Sequence, residues 1–330
     1  MRLARRILTW GIAVLGAVVI GLVGSVVFDY AVGGDRLSAV TNVTIPGAGG
    51  SPAVRAYVAR PTGTGPRPVV IMIHEFYGLN SSIVGKADLL AKDGYIVVAP
   101  DTMRGQTTEW IPRAIYQTLT TRPEDINADL DSVFAWIKAQ PDADSARVAT
   151  AGFCFGGRAS LMYSLHNPVM SATVVFYGAP ETDPAKLKAL RGPTLGIFGG
   201  ADTTIPLDQV EAFRKGLTEA GIRNTVSVYD GEPHAFVHDA AGIAAGGAQG
   251  KAWTQMTDFL KDNLQGTRAS APDPDGATSS TSPTPLSYLL ALAYEHSFGK
   301  GETLDTGCTR THRQRCASRC PHRNAVRHLR

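Results

Sequence analysis

Gly152-Phe153-Cys154-Phe155-Gly156-Gly157 follows the short strand-like run Arg147 to Ala151 and opens a predicted helix. A G-x-C-x-G pattern between strand and helix is a nucleophile elbow with cysteine in the usual serine position. The turn is sharp enough to crowd its flanks, which is why glycine is needed two residues to either side. It lifts the side chain off the sheet, and the helix N-terminus favours a thiolate and a developing oxyanion. The pattern alone carries modest weight in a chain with 35 glycines; the strand–turn–helix setting strengthens it. A lone cysteine more often serves as a small buried hydrophobe. The other three, Cys308, Cys316 and Cys320, all fall near the C-terminus, so no disulfide framework is expected to organise the core.

Outward from the elbow, strand-like and helix-like segments alternate between Arg36 and Gln265. Val54 to Val58, Pro68 to Ile73, Tyr95 to Ala99, Thr173 to Tyr177, Thr194 to Phe198 and Thr225 to Tyr229 read as strands. Pro68 to Ile73 and Tyr95 to Ala99 are apolar throughout, as strands of a parallel sheet covered on both faces should be. Ser82 to Lys92, Leu207 to Glu219 and Lys251 to Leu264 read as helices. In the predicted helix Glu124 to Ala139, Ile126, Leu130, Val133, Phe134 and Ile137 recur along one side. The expected architecture is α/β, a mainly parallel sheet with helices on both faces.

A cysteine nucleophile needs a base, and the base needs an orienting acid. Asp202 lies just past the strand Thr194 to Phe198, and His234 lies just past the strand ending at Tyr229. Both positions are carboxyl ends of strands, where open parallel sheets hold their ligands. Alone, Asp202 would do as a helix cap and His234 as a surface loop residue; together with Cys154 they suggest a triad. The order nucleophile, acid, histidine is that of the α/β-hydrolase fold. His74-Glu75-Phe76-Tyr77-Gly78 follows the strand ending at Ile73, where this fold takes an oxyanion donor. The backbone N–H groups of Phe76 and Phe155 are the candidate donors. Glu75 is expected beside the nucleophile, its plainer role being a loop ion pair.

The ends of the chain read differently. Arg2, Arg5 and Arg6 precede an uncharged run of 22 residues, Ile7 to Phe28, long enough to span the hydrocarbon core as a helix. The arginines are expected to stay in the cytoplasm, so residues 1–35 are expected to form a membrane anchor holding an extracytoplasmic domain at residues 36–265. A cleaved signal and secretion are the alternative. Residues 266–330 begin with a Pro/Ser/Thr-rich stretch and are expected to be a disordered linker and basic tail. The tail carries seven arginines after Cys308, which leaves the rest of the chain at −4 against +3 overall. The basic balance therefore says little about the domain's partners, and no nucleic acid is expected among them. Cys316, Cys320 and His322 lack the paired C-x-x-C spacing of common zinc sites, and no metal is assigned.

Four motifs, H-E-x-x-G at His74, G-F-C-F-G-G at Gly152, G-x-x-D ending at Asp202 and H-A-F at His234, together resemble the dienelactone hydrolase family over roughly Arg36 to Leu264. The resemblance implies an α/β-hydrolase that opens a small lactone with a Cys154–Asp202–His234 triad and no cofactor. It implies that Glu75 governs ionisation of the thiol. Lactone-cleaving members carry an arginine four residues after the catalytic histidine; here that position is His238. A second substrate-binding arginine corresponds roughly to Arg104. These departures bear on the substrate more than on hydrolysis. An esterase, thioesterase or acyltransferase of the same fold is one rival reading, and a membrane-tethered binding protein without turnover is another.

Overall fold

The computed structural model describes residues 2–32 and 36–265. The N-terminal apolar run lies within helix α1 (Arg2–Val32). The domain then follows as β1 (Val43–Ile45), β2 (Val54–Ala59), β3 (Arg67–Ile73), α2 (Ser81–Ala91), β4 (Ile96–Pro100), α3 (Ile111–Thr120), α4 (Pro123–Lys138) and β5 (Ala143–Phe153). It continues with α5 (Phe155–His166), β6 (Ala172–Phe176), α6 (Pro184–Leu187), β7 (Thr194–Gly199), α7 (Leu207–Glu219), β8 (Asn224–Tyr229), α8 (Ala240–Ala244) and α9 (Gly247–Leu260). A π-helical turn, Lys261–Gln265, extends α9.

The eight strands form one sheet in the order β1-β2-β4-β3-β5-β6-β7-β8. The pairs β1–β2 and β2–β4 are antiparallel and the remaining five are parallel. β3, β4, β6 and β7 are buried almost from end to end, the cost of a sheet that faces helices on both sides. One core cluster runs from β1 to α9 and takes in Cys154, and a second joins α7 to β6 and β7 through Phe213, Phe198 and Val175.

Most predicted strands and helices fall within a residue or two of their observed places. β5 is longer than expected. Its polar start, Ala143 and Asp144, pairs with Arg67 and Pro68, and a register shift then skips to Val69 opposite Val148. That irregular, charged beginning hides a strand from a search for β-branched residues. β1, α3 and the short α6 and α8 were not anticipated; α3 buries Arg113, Ala114, Gln117 and Thr118, while its apolar Tyr116 and Leu119 lie on the other, exposed side. The linker and tail lie outside the described residues, as do Cys308, Cys316, Cys320 and His322.

Candidate active site

Cys154 stands between β5 and α5 with φ 56° and ψ −115°. An L-residue rarely occupies that conformation, so the position stores strain that its surroundings must hold. They do so from three strands. The Cys154 N–H donates to the Phe176 carbonyl of β6 at 3.0 Å, and its own carbonyl receives the N–H of Gly157 at 3.0 Å. A Cβ on Gly152 would stand 1.9 Å from the Gly156 carbonyl oxygen. One on Gly156 would stand 2.2 Å from that of Ile73 at the end of β3. The glycines are therefore required by contact between backbones. The thiol itself is buried.

His234 is also buried, and its Nδ1 lies 2.8 Å from Asp202 Oδ2. Asp202 Oδ1 accepts the N–H groups of Thr204 at 2.8 Å and Ile205 at 3.0 Å, and the Thr204 hydroxyl at 2.6 Å. Burial is the largest influence on Asp202 and raises its pKa, yet the hydrogen bonds and the imidazole's charge overcome it and hold the carboxyl below its usual range. Burial likewise pulls the His234 pKa down. Cys154, as charge and hydrogen-bond partner, and Asp202 together reverse this and hold the imidazole well above its usual value. With Nδ1 taken by Asp202, Nε2 is the ring nitrogen left for Cys154.

The loop after β3 is fixed carbonyl by carbonyl. His74 is fully buried, and its Nδ1 donates to the Glu75 carbonyl at 2.7 Å while Nε2 accepts the Thr102 N–H at 3.2 Å. Burial holds this ring neutral, with its pKa pushed down to about 4. Gln117 of α3 donates to the Phe76 carbonyl at 2.7 Å, and the Thr108 N–H donates to the Tyr77 carbonyl at 2.9 Å. In a trans peptide the N–H points opposite to the carbonyl. Holding the Glu75 carbonyl with His74 thus sets the direction of the Phe76 N–H.

Glu75 is half-buried, and its charge, like that of Cys154, acts on both Tyr77 and Tyr177. Cys154, Glu75 and the two phenols therefore share one neighbourhood. Arg104 is not turned to it. Its guanidinium grips Asp129 through two contacts of 3.0 Å and reaches Asp125 at 3.2 Å, so its charge is spent on α4. His238 is exposed, and its backbone N–H donates to Gln249 at 3.0 Å.

Three residues near the site add to those expected from the sequence. Thr204 bridges Asp202 and His234, at 2.8 Å from His234 Nδ1. Tyr177, at φ 37°, sets its ring edge-on to His234 with centroids 5.3 Å apart and donates to the Val237 carbonyl at 3.2 Å. Lys86 is fully buried, 4.4 Å above the Phe153 ring and 3.3 Å from the Ser82 hydroxyl. Burial lowers its pKa, against the opposing charges of Glu75 and Asp239. Only the D-T-T sequence after Gly199-Gly200-Ala201 could have pointed to Thr204, as a hydroxyl placed to bond back to Asp202.

The family model described as "Dienelactone hydrolase family" matches residues 54–264, a span that includes every residue of this site. The chain belongs to the dienelactone hydrolase family. An Escherichia coli O157:H7 protein, named provisionally as a carboxymethylenebutenolidase, is 32% identical over 221 residues, covering 62% of this chain and 81% of its own. A Mus musculus protein named "Carboxymethylenebutenolidase homolog" is 31% identical over 193 residues, or 56% of this chain and 76% of its own. Among solved structures, a Klebsiella pneumoniae protein given provisionally as a dienelactone hydrolase superposes with a TM-score of 0.59 at 30% identity, covering 66% of this chain and 96% of its own. The α/β-hydrolase fold expected from sequence is thereby established, and the chain is a carboxylic ester hydrolase of the dienelactone hydrolase type.

Proposed function

We propose that this hydrolase cleaves a small ester or lactone through a covalent acyl-enzyme on Cys154, with His234 as base and Asp202 as its orienting acid. The observation that carries this reading is the buried Asp202 Oδ2–His234 Nδ1 contact of 2.8 Å, with the Cys154 side chain coupled to the same ring. Nδ1 is committed to Asp202, so Nε2 is the nitrogen available to the thiol. The thiol proton passes to His234, and the thiolate adds to the substrate carbonyl. The N–H groups of Phe76 and Phe155 receive the negative oxygen, a contribution of a few kcal/mol when donors are well placed. The C–O bond then breaks, the leaving oxygen takes the proton from His234, and a thioester remains. Water gives a proton to His234 and adds to the thioester. Collapse releases the carboxylic acid and returns the proton to the thiol.

Glu75 stands beside this cycle as a second proton acceptor for the thiol. Its negative charge opposes a permanent thiolate, so substrate binding that displaces Glu75 would favour ionisation. This arrangement suits a cysteine kept outside the cytoplasm, where a standing thiolate is prone to oxidation. For that location we take α1 as a retained anchor. A cleaved signal would leave Arg113 stranded. Its side chain is only 4% exposed, it pairs with Asp29 of α1 at 2.8 Å, and it stacks over Tyr30, also of α1. Cleavage beyond α1 would forfeit both contacts.

The test of the chemistry is a rapid-mixing experiment with an aryl ester. A burst of phenol should accompany a mass increase equal to the acyl group, located by peptide mapping at Cys154. Acylation of another residue, or turnover with no Cys154 adduct under quench at low pH, would overturn the assignment.

A further inference from the structure

α1 does not end as a free leash. Asp29, the first ionisable residue after the apolar run, is gripped by Arg113 at 2.8 Å, by the Thr108 hydroxyl at 2.6 Å and by Arg36 at 3.0 Å. One turn earlier on the same helix, the Ser25 hydroxyl accepts the indole N–H of Trp110 at 3.1 Å. Four residues at 1.5 Å put Ser25 about 6 Å below Asp29 along the helix. Around Ser25, the side chains of Leu22, Val27 and Phe28 are exposed, Phe28 by 69%. If α1 crosses a bilayer, lipid must cover those three. Trp110 is bonded at their depth and still leaves 47% of its surface open, so the same lipid must meet the indole.

The two ends of the helix agree with this depth. Trp10 and Tyr30 are both exposed and lie 20 residues apart, about 30 Å, the thickness of the hydrocarbon core. Indole and phenol rings collect at the two membrane interfaces. Trp110 would then belong to the same ring belt as Tyr30, although it comes from the catalytic domain.

We propose that the segment around Trp110, leading into α3, is a docking surface for the headgroup region of the extracytoplasmic leaflet. The proposal rests on the retained-anchor reading given above. The Asp29 clamp fixes the depth and Trp110 makes the lipid contact. The surface is not remote from chemistry, because the clamped segment also supplies the Thr108 N–H and the Gln117 side chain that hold the carbonyls of Tyr77 and Phe76. A hydrolase seated in this way presents its oxyanion loop from a platform resting on lipid.

The experiment uses the full chain reconstituted into phosphatidylcholine vesicles whose acyl chains carry bromine close to the headgroup, a contact quencher of indole fluorescence. Wild type, Trp110→Phe and Trp10→Phe are compared, with esterase activity in detergent confirming that each variant is folded. Both substitutions are expected to remove a quenchable component, and at least half of the Trp110 emission is expected to be lost in brominated vesicles. If quenching is the same with and without Trp110 while the Trp10 component persists, the docking surface is overturned and the anchor stands. If the chain fails to float with vesicles and no tryptophan is quenched, the anchor reading falls and takes the docking surface with it.

Discussion

Thr204 donates its hydroxyl to Asp202 Oδ1 at 2.6 Å, completing a set of three donors on one buried carboxylate oxygen. Its oxygen also lies 2.8 Å from His234 Nδ1 and can accept from the same N–H that Asp202 Oδ2 receives. Thr204 therefore limits how far the imidazole can swing. Thr204→Val keeps the shape and removes the hydroxyl, and a buried hydrogen bond to a charged group contributes ~1.5–3 kcal/mol. kcat/KM is expected to fall about tenfold or more, with KM little changed and Thr204→Ser restoring most of the loss. Unchanged kinetics in the valine variant would mean that Asp202 alone positions His234.

Cys154→Ala is expected to abolish turnover and leave the fold intact, and Cys154→Ser to retain little activity. A second readout separates the nucleophile from a merely structural cysteine. Cys154 is among the influences that hold His234 above its usual pKa, so the alanine variant should titrate at lower pH by imidazole NMR. An unmoved His234 titration would show that the two side chains are not coupled.

Gly156→Ala should be poorly tolerated, because its Cβ would meet the carbonyl oxygen of Ile73 at 2.2 Å, and backbone of a buried strand cannot yield. Overpacking of this kind costs ~1–3 kcal/mol. A fall in Tm of roughly 5 °C is expected, with loss of activity as the elbow shifts. Gly85→Ala is the control. It lies in α2, where the new Cβ would meet only the Ala240 methyl at 3.4 Å, and Tm should hold or rise.

His74 predicts an acid limb to stability. Its pKa is about 4 in the folded protein, against about 6.5 when unfolded. Between those values the unfolded chain binds more protons, so stability is complete above about pH 6.5 and declines as pH falls through 4. The contribution is ~3 kcal/mol from the size of the shift. His74→Gln should lower stability at pH 7 yet flatten its slope between pH 6.5 and 4, as read by urea unfolding at several pH values. A slope equal to that of wild type would place the acid sensitivity in another group.

Much of the site could be read from glycine and strand ends. Gly152 and Gly156 bracket the elbow because two backbones touch there, and such contacts leave a pattern in sequence. Asp202 and His234 were found because a parallel sheet delivers its strand ends to one edge. The residues that escaped have no such signature. Tyr177 looked like the end of a strand, yet its positive φ turns it across His234. Lys86 sat in an ordinary helix, and only the three-dimensional packing buries its ammonium against Phe153. Helix α3 turns Arg113 and Gln117 inward, to Asp29 and the Phe76 carbonyl, and leaves Tyr116 and Leu119 exposed, the reverse of the usual pattern.

The backbone at Cys154 sits at φ 56°, a conformation in which glycine alone is at ease. Robustness and reactivity thus pull the same codon in opposite directions. On the proposed mechanism, replacing Cys154 by glycine would relax the turn and remove the nucleophile, so a laboratory selection that rewards heat tolerance alone has a downhill route to a sturdy, inert scaffold. Any effort to harden this protein must therefore score turnover in every round.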